Sequence, residues 1–212
     1  MKISVITVCF NNATTLEQSL HSVSAQDWPH VEHIVIDGYS TDGSMTIIER
    51  YRHQLAHVIS EPDNGIYDAM NKGLDLARGD IICFLNADDR YSHSQVLSQV
   101  ALQMDNQQLD AVTGDVGFFR KQNPMRIIRR YSSKRFRPSL LSWGWMPPHP
   151  ALFLSRSVVE RVGHFKTYYK IAGDFEYIIR AFHGQNLRYQ HRPEVLVLMQ
   201  TGGVSTNGWR SK

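Results

Sequence analysis

The stretch EPDNGIYDAMNKGLDLARGDIICFLNADD, residues 61–89, decides the fold. Pro62-Asp63-Asn64-Gly65 is a run of four turn-forming residues. Small or apolar residues then recur at Ile66, Ala69, Met70, Gly73, Leu74 and Ala77, the spacing of one buried helix face. Gly79 is the stop signal just past such a helix. Ile81-Ile82-Cys83-Phe84-Leu85 is an unbroken apolar run, too short for a second helix. It fits a strand covered on both faces, as in a parallel sheet. Asn86, Asp88 and Asp89 follow at once. Ligands of open α/β sheets bind beyond the carboxyl ends of strands. Carboxylates there either hold a hard cation or cap the next helix.

Upstream, the same alternation repeats. Ile3 to Phe10 reads as a strand, and Thr14-x-x-Glu17 as a capping box opening a helix with Leu16, Leu20 and Val23 inward. Trp28-Pro29 closes that helix, and His33 to Ile36 is a second strand ending at Asp37-Gly38. A polar loop, residues 39–44, leads to a helix with Met45, Ile48, Tyr51 and Leu55 inward, then a short strand from Ala56 to Ser60. The order β-α-β-α-β-α-β predicts a Rossmann-type, mostly parallel central sheet flanked by helices. Downstream the pattern is less regular. A helix is expected over about 94–104, an extended run over 109–119 and a short strand over 151–154. A short helix over 155–162, a helix beginning at Asp174 and an extended run over 187–199 complete the chain. The helix at Asp174 is expected to bury Phe175, Ile178, Ile179 and Phe182. The 212 residues suffice for one domain, with 1–89 as a nucleotide-binding half and 90–212 as the half that meets a second substrate.

Composition narrows the class. Hydrophobic content of 42% with 20% charged residues is that of a globular protein, not a disordered one. No apolar run approaches the roughly 20 residues that span a bilayer. The N-terminus reads as a strand and not as a signal peptide, so a cytosolic protein is expected. Cys9 and Cys83 both lie in apolar runs, as buried free thiols do. Charge is uneven: eight basic residues and no acid lie between Arg120 and Arg137, while the rest carries 15 basic and 20 acidic residues. With Ile127, Ile128, Tyr131 and Phe136 interleaved, that segment suits an anionic membrane surface at the inner face of the plasma membrane. A solvated basic face is the plainer explanation. Nucleic acid is disfavoured by the acidic remainder.

The strand ends supply the chemistry. Asp37, Asp63 and the Asp88-Asp89 pair each follow or flank one, so a parallel sheet gathers them on one edge. Phe10-Asn11-Asn12-Ala13 carries no G-x-G-x-x-G, and no G-x-x-x-x-G-K-[ST] occurs, so a phosphate must be met through a cation and not a glycine cradle. Asp88 is the natural ligand of Mg²⁺ or Mn²⁺. Asp174, opening a helix, is a general base or simply a cap. His149, between prolines, and Asp89 are candidates to contact an acceptor or a leaving group. Trp143 and Trp145 either stack on a sugar, enter a membrane interface or pack beneath a loop.

These residues resemble an inverting family 2 glycosyltransferase of the GT-A fold. The resemblance runs through SVITVCFN, VIDGYSTDGS, EPDNGIYDAMNKG, ARGDIICFLNADD, HPALFLSRSVVERVGHF, KIAGDFEYIIR and TGGVST. Within the family it is similar to the short, non-processive enzymes of bacterial exopolysaccharide assembly, of the colanic-acid type. The resemblance implies transfer of one hexosyl-type sugar from a nucleoside-diphosphate sugar to a lipid-linked or oligosaccharide acceptor. It implies that Thr7 to Phe10 and Asp37 meet the nucleoside, that Asp63 and Asn71 hold the nucleotide side, and that Asn86-Ala87-Asp88 occupies the Asp-x-Asp metal motif. It makes Asp174 the base and the Gly202-Gly203 loop a lid over bound nucleotide. Two positions depart from the pattern: Asn86 removes one negative charge from the metal site, and Gly173 stands where the family carries an acid before the base. The competing functions are a nucleotidyltransferase that makes nucleotide-sugars and a non-catalytic nucleotide-sugar-binding module.

Overall fold

The computed structural model describes residues 1–201, so the Gly202-Gly203 lid lies outside the described residues. Its centre is β1 (Ile3–Cys9), buried at all seven positions. β1 lies parallel between β2 (Val31–Asp37) and β4 (Ile81–Phe84), with Ile3 opposite both Val31 and Ile81. β3 (His57–Ser60) extends the parallel set beside β2. The helices between them are α1 (Leu16–Ser24), α2 (Ser44–Tyr51) and α3 (Ile66–Leu76). They bury Leu16-Leu20-Val23, Ile47-Ile48 and Ala69-Met70 against the sheet, as the 3.6-residue period requires. The expected alternation is present through residue 84. The expected capping box at Thr14 is not: the Asn12 carbonyl takes the N–H groups of both Thr15 and Leu16 at 3.0 Å, so the first turn is closed by backbone. α1 stops at Ser24, short of Trp28-Pro29.

The second half completes one sheet in the order β3-β2-β1-β4-β8-β6-β9-β5, with β7 pairing the later part of β6. Its elements are β5 (Asp89–Tyr91), α4 (Val96–Gln107), β6 (Ala111–Arg120), β7 (Asn123–Tyr131), β8 (Leu152–Ser155), α5 (Arg156–Val162), α6 (Gly173–Phe182) and β9 (Tyr189–Gln200). β8 runs antiparallel to β4 and to β6, and β6 runs parallel to β9. The β3-β2-β1-β4 side of the sheet is therefore wholly parallel and the other side mixed. Two strands went unanticipated. β5 is three residues whose partner, β9, lies more than a hundred positions along the chain. β7 turns the basic segment into the edge of a hairpin with β6. A charged, twisted edge is one that does not recruit another strand. α6 buries Tyr177, Ile178, Ala181 and Phe182, so Tyr177 replaces the expected Phe175 and Ile179, which pack more peripherally. Both cysteines are free and buried, as expected. Among the described residues no helix is long and apolar enough to cross a membrane.

Candidate active site

The carboxyl ends of β1, β2 and β3 face one edge, and the backbone there is unusual. Asn11, Tyr39 and, across the edge, Ala172 all have left-handed φ values of 54°, 66° and 64°. Strain of this kind persists only where surrounding contacts over-determine it, and it gathers at functional sites. The contacts are visible. The Asn11 N–H donates to Ser40 Oγ (2.8 Å), and Asn11 Oδ1 accepts from the Thr41 N–H (2.9 Å), which lashes the β1 loop to the β2 loop.

Asp37 organises this lashing from behind. It is fully buried, and its carboxylate accepts from Ser40 Oγ (2.5 Å), the Ser40 N–H (3.0 Å), Ser60 Oγ (2.7 Å) and the Cys9 thiol (3.4 Å). Those donors fill the acceptor sites of a carboxylate. Asp37 therefore braces the two loops from behind, its oxygens met by protein donors where direct contact with the nucleoside was expected. Thr7 needs a correction too. It lies mid-strand, fully buried, with its hydroxyl 3.0 Å from His33 Nε2. Burial pushes the His33 imidazole down to about 3, so the pair is a neutral interior contact.

What does face outward is Phe10, 61% exposed, beside Gly38 and Asp63. A side chain on Gly38 would meet Asp63 Oδ2 at 2.5 Å and the Phe10 ring at 3.2 Å. The absent Cβ thus lets an aromatic face and a carboxylate close over bare backbone. Asp63 is held in turn by the Gly65 N–H (2.9 Å). An exposed ring, a bare backbone and an acceptor together suit a nucleoside: a base to stack and hydroxyls to bind.

Beyond β4, the acidic turn is rich in acceptors and poor in donors. Asn86 Oδ1 and Asp89 Oδ2 are buried without a hydrogen-bond partner. Burial raises Asp88 above its usual range, and burial together with the neighbouring Asp88 charge raises Asp89 well above. Orphaned buried acceptors beside two carboxylates are the electrostatic signature of a place for a cation. Among the described residues no group of three or more His, Cys, Asp or Glu side chains forms a cage. A cation here would lean on few protein ligands and on donor phosphates, the Mg²⁺ habit. Asp89 itself is turned inward by the pairing of β5 with β9 and is 2% exposed, so it reaches neither acceptor nor leaving group, contrary to expectation.

The third group assembles around α6. The helix begins at Gly173, one residue before the expected start, and Asp174 sits in its first turn. Asp174 Oδ1 accepts the Phe175 N–H (2.9 Å) and the Tyr67 hydroxyl (3.4 Å). His149 is buried near it. Burial lowers the imidazole's proton affinity and the Asp174 charge only partly restores it, so the ring is held neutral. The His149 ring stacks on Phe84, centroids 5.0 Å apart, and Phe84 is the last residue of β4 before the acidic turn. Asp174 and His149, distant in sequence, thus lie near each other, and His149 stacks on the residue that ends β4, just before the turn of Asn86 and Asp88.

Two further placements matter. Asn71 is not on the nucleotide side: its amide donates to the Phe165 carbonyl (2.9 Å) and accepts the Phe165 N–H (2.8 Å), which occupies both ends. It staples α3 to the segment between α5 and α6. Tyr67 lines the site through its hydroxyl; the apolar spacing of the sequence puts Ile66 on the buried helix face, but Ile66 is exposed and Tyr67 is the buried residue. The basic segment also differs from expectation. Arg130 pairs with fully buried Asp115, which His191 (2.7 Å) and the Ser133 N–H (3.1 Å) also hold. Phe136 is buried and Tyr131 donates to the Met146 carbonyl (2.6 Å), leaving Ile127 and Ile128 as its exposed apolar residues. Trp143 is 85% exposed, whereas Trp145 packs against Tyr131 and Phe136.

A family model described as glycosyl transferase family 2 matches residues 4–166, from β1 through the His149 turn and α5. The chain belongs to glycosyl transferase family 2. It is a glycosyltransferase of the GT-A fold. Among curated relatives, an uncharacterized glycosyltransferase of Mycobacterium tuberculosis is 35% identical over 84% of this chain and 68% of its own. A PGL/p-HBAD biosynthesis glycosyltransferase of Mycobacterium bovis is 30% identical over 89% of this chain and 73% of its own. Among solved structures, Staphylococcus aureus TarS bound to UDP-GlcNAc has a TM-score of 0.80 at 20% identity, covering 96% of this chain and 59% of that one. The mannosyltransferase PcManGT of Pyrobaculum calidifontis, in complex with GDP-Man and Mn²⁺, has a TM-score of 0.74 at 22% identity, covering 99% and 59%. This glycosyltransferase therefore spans about three fifths of the solved chains it resembles. The family match ends before Asp174.

Proposed function

We propose that this glycosyltransferase moves a single sugar, with inversion, from a nucleoside-diphosphate sugar to a hydroxyl of a lipid-linked or saccharide acceptor, in the assembly of a bacterial surface polysaccharide or glycolipid. Relatives named for PGL/p-HBAD and teichuronic acid biosynthesis support the pathway class, and the ligands of TarS and PcManGT support the donor class. The observation that carries the mechanism is Asp174: one oxygen is held by two donors beside a neutral His149, at the end of the strand that carries Asn86 and Asp88.

The steps follow from that geometry. Phe10 stacks on the base, and Asp63 accepts from nucleoside hydroxyls over Gly38. The free oxygen of Asp174 takes the proton of the acceptor hydroxyl as its oxygen bonds to the anomeric carbon. The bond from that carbon to the diphosphate oxygen breaks, and the leaving group departs with the electron pair, so one displacement inverts the centre. Asp88, with Asn86 beside it, would hold a divalent cation, Mg²⁺ or Mn²⁺, which supplies charge neutralisation at the diphosphate. His149, neutral and able to donate, orients the acceptor or the leaving oxygen. The β6–β7 hairpin brings Arg120, Arg126 and Ile128 together, a surface suited to anionic lipid at the cytoplasmic face of a membrane.

The test is turnover of UDP-glucose, UDP-GlcNAc and GDP-mannose with Mn²⁺, scored by product. Release of a nucleoside diphosphate supports the proposal. Pyrophosphate release would select a nucleotidyltransferase, and saturable binding without turnover across varied acceptors would select a binding module.

A further inference from the structure

The acid expected before the base is missing here, and the structure supplies a physical reason. A Cβ on Gly173 would lie 2.7 Å from Cε2 and 2.8 Å from Cζ of Tyr67, so the phenol ring fills the space a side chain would need. The ring is immobile. It stacks on Phe165 at 5.7 Å and 19°, and Phe165 stacks on Tyr177 at 4.0 Å. Phe165 is pinned by its backbone to Asn71, one helical turn along α3 from Tyr67. One face of a donor-half helix thus grips the acceptor half at two points.

The hydroxyl at the end of that ring has two partners. Its oxygen accepts the Gly173 N–H at 2.9 Å, one of the first-turn donors that a helix leaves unpaired. With that lone pair engaged, its proton is directed to Asp174 Oδ1, 3.4 Å away. The Phe175 N–H holds the same oxygen. Among the described residues no donor reaches Oδ2, so the carboxylate is fixed on one side and open on the other.

Resting on the reading of Asp174 as the base, we infer that Tyr67 is its positioning residue: the phenol replaces the missing neighbouring acid, caps α6 and sets the angle at which Asp174 meets the acceptor hydroxyl. Because Tyr67 belongs to α3, it also couples the base to the donor half.

The experiment is a double-mutant cycle on the full chain, with whichever of UDP-glucose, UDP-GlcNAc and GDP-mannose it turns over. Tyr67→Phe keeps the ring and its stacking and removes only the hydroxyl. It should lower kcat by about tenfold or more, the worth of one hydrogen bond to a charged group, with the donor KM within about twofold. In an Asp174→Asn background, Tyr67→Phe should change the residual rate by less than about twofold, because residues that act as a unit are not additive. Gly173→Ala, which pushes on the ring from the other side, is the second variant should Tyr67→Phe not fold. It should show the same kcat loss and the same non-additivity. An unchanged kcat in folded Tyr67→Phe overturns the inference and leaves Asp174 in place. Equal losses in both backgrounds overturn it as well, since Tyr67 then acts independently of the carboxylate. Full turnover by Asp174→Asn removes the base and the inference together, with a signature neither other outcome shares.

Discussion

Asn71→Ala separates two roles for one residue, and its outcome can be worked out in advance. The Asn71 amide makes two hydrogen bonds to the Phe165 backbone, 2.9 and 2.8 Å, at a site 9% exposed. Truncation removes both bonds and leaves a buried N–H and a buried C=O unpaired. At roughly 1–3 kcal/mol per buried group left unsatisfied, the loss should be about 2–6 kcal/mol of stability. For a chain of this length that corresponds to a fall of about 4–24 °C in Tm. Asn71→Asp keeps the acceptor but sets a second carboxylate oxygen against the Phe165 carbonyl, so at neutral pH it should lose at least as much as Asn71→Ala. The assay is urea unfolding followed by tryptophan fluorescence, with donor affinity measured calorimetrically at a temperature where each variant is folded. Donor Kd should stay within about twofold of the parent, since both ends of the amide face Phe165 and not the nucleotide. A variant of parental stability whose donor Kd rises tenfold would refute this reasoning and restore Asn71 to the nucleotide site.

Other outcomes follow from the same geometry. Gly38→Ala should raise the donor KM by about fivefold or more with little change in Tm, because its Cβ displaces the Asp63 carboxylate and the Phe10 ring, which are free to swing aside; steady-state kinetics checks it. Asp88 and Asp89 are raised, Asp89 further, so between their folded and unfolded values the folded state binds more protons. Without metal, their contribution should therefore stabilise the fold as pH falls from neutral toward about 4, the unfolded range of Asp. Mn²⁺ should stabilise the protein more at pH 8 than at pH 5.5, read from Tm across pH with and without the ion. Arg120→Glu combined with Arg126→Glu should abolish sedimentation with phosphatidylserine vesicles and leave Tm unchanged, since both side chains are exposed on the β6–β7 hairpin.

The parts of the fold that were legible are those whose burial is written locally. β1 and β4 are apolar at nearly every position because both faces are covered, and a continuous run announces that. β5 carries no such mark: Asp89-Arg90-Tyr91 is a strand only because β9 comes back beside it. β7 was hidden by its own charges, which belong to an exposed edge and mask the two-residue period. In the site, strand ends pointed to Asp63 and Asp88, a helix start to Asp174 and a proline-flanked turn to His149, and the structure sets His149 close to Asp174 and against the last residue of β4. Direction was not legible. Nothing in the spacing distinguishes Asp63, which closes over bare backbone, from Asp37, whose oxygens are enclosed by Ser40, Ser60 and Cys9. Thr7 and Asn71 were misplaced for the same reason. Tyr67 escaped notice because the apolar spacing was laid through its neighbour Ile66, which is exposed, whereas the Tyr67 ring is core and only its hydroxyl reaches the site. Gly173 departs from the family pattern in sequence, and in the structure the Tyr67 ring fills the space a side chain there would need.

The measurement that bears most directly on the account pairs donor binding with turnover in Asp174→Asn and Asp88→Asn. If one crevice holds the cation at Asp88 and the base at Asp174, Asp174→Asn should bind a UDP- or GDP-sugar with parental Kd in Mn²⁺ and lose turnover by about a hundredfold or more. Asp88→Asn should lose the Mn²⁺-dependent part of that binding. Parental turnover by Asp174→Asn, or Mn²⁺-dependent donor binding undiminished in Asp88→Asn, would contradict it.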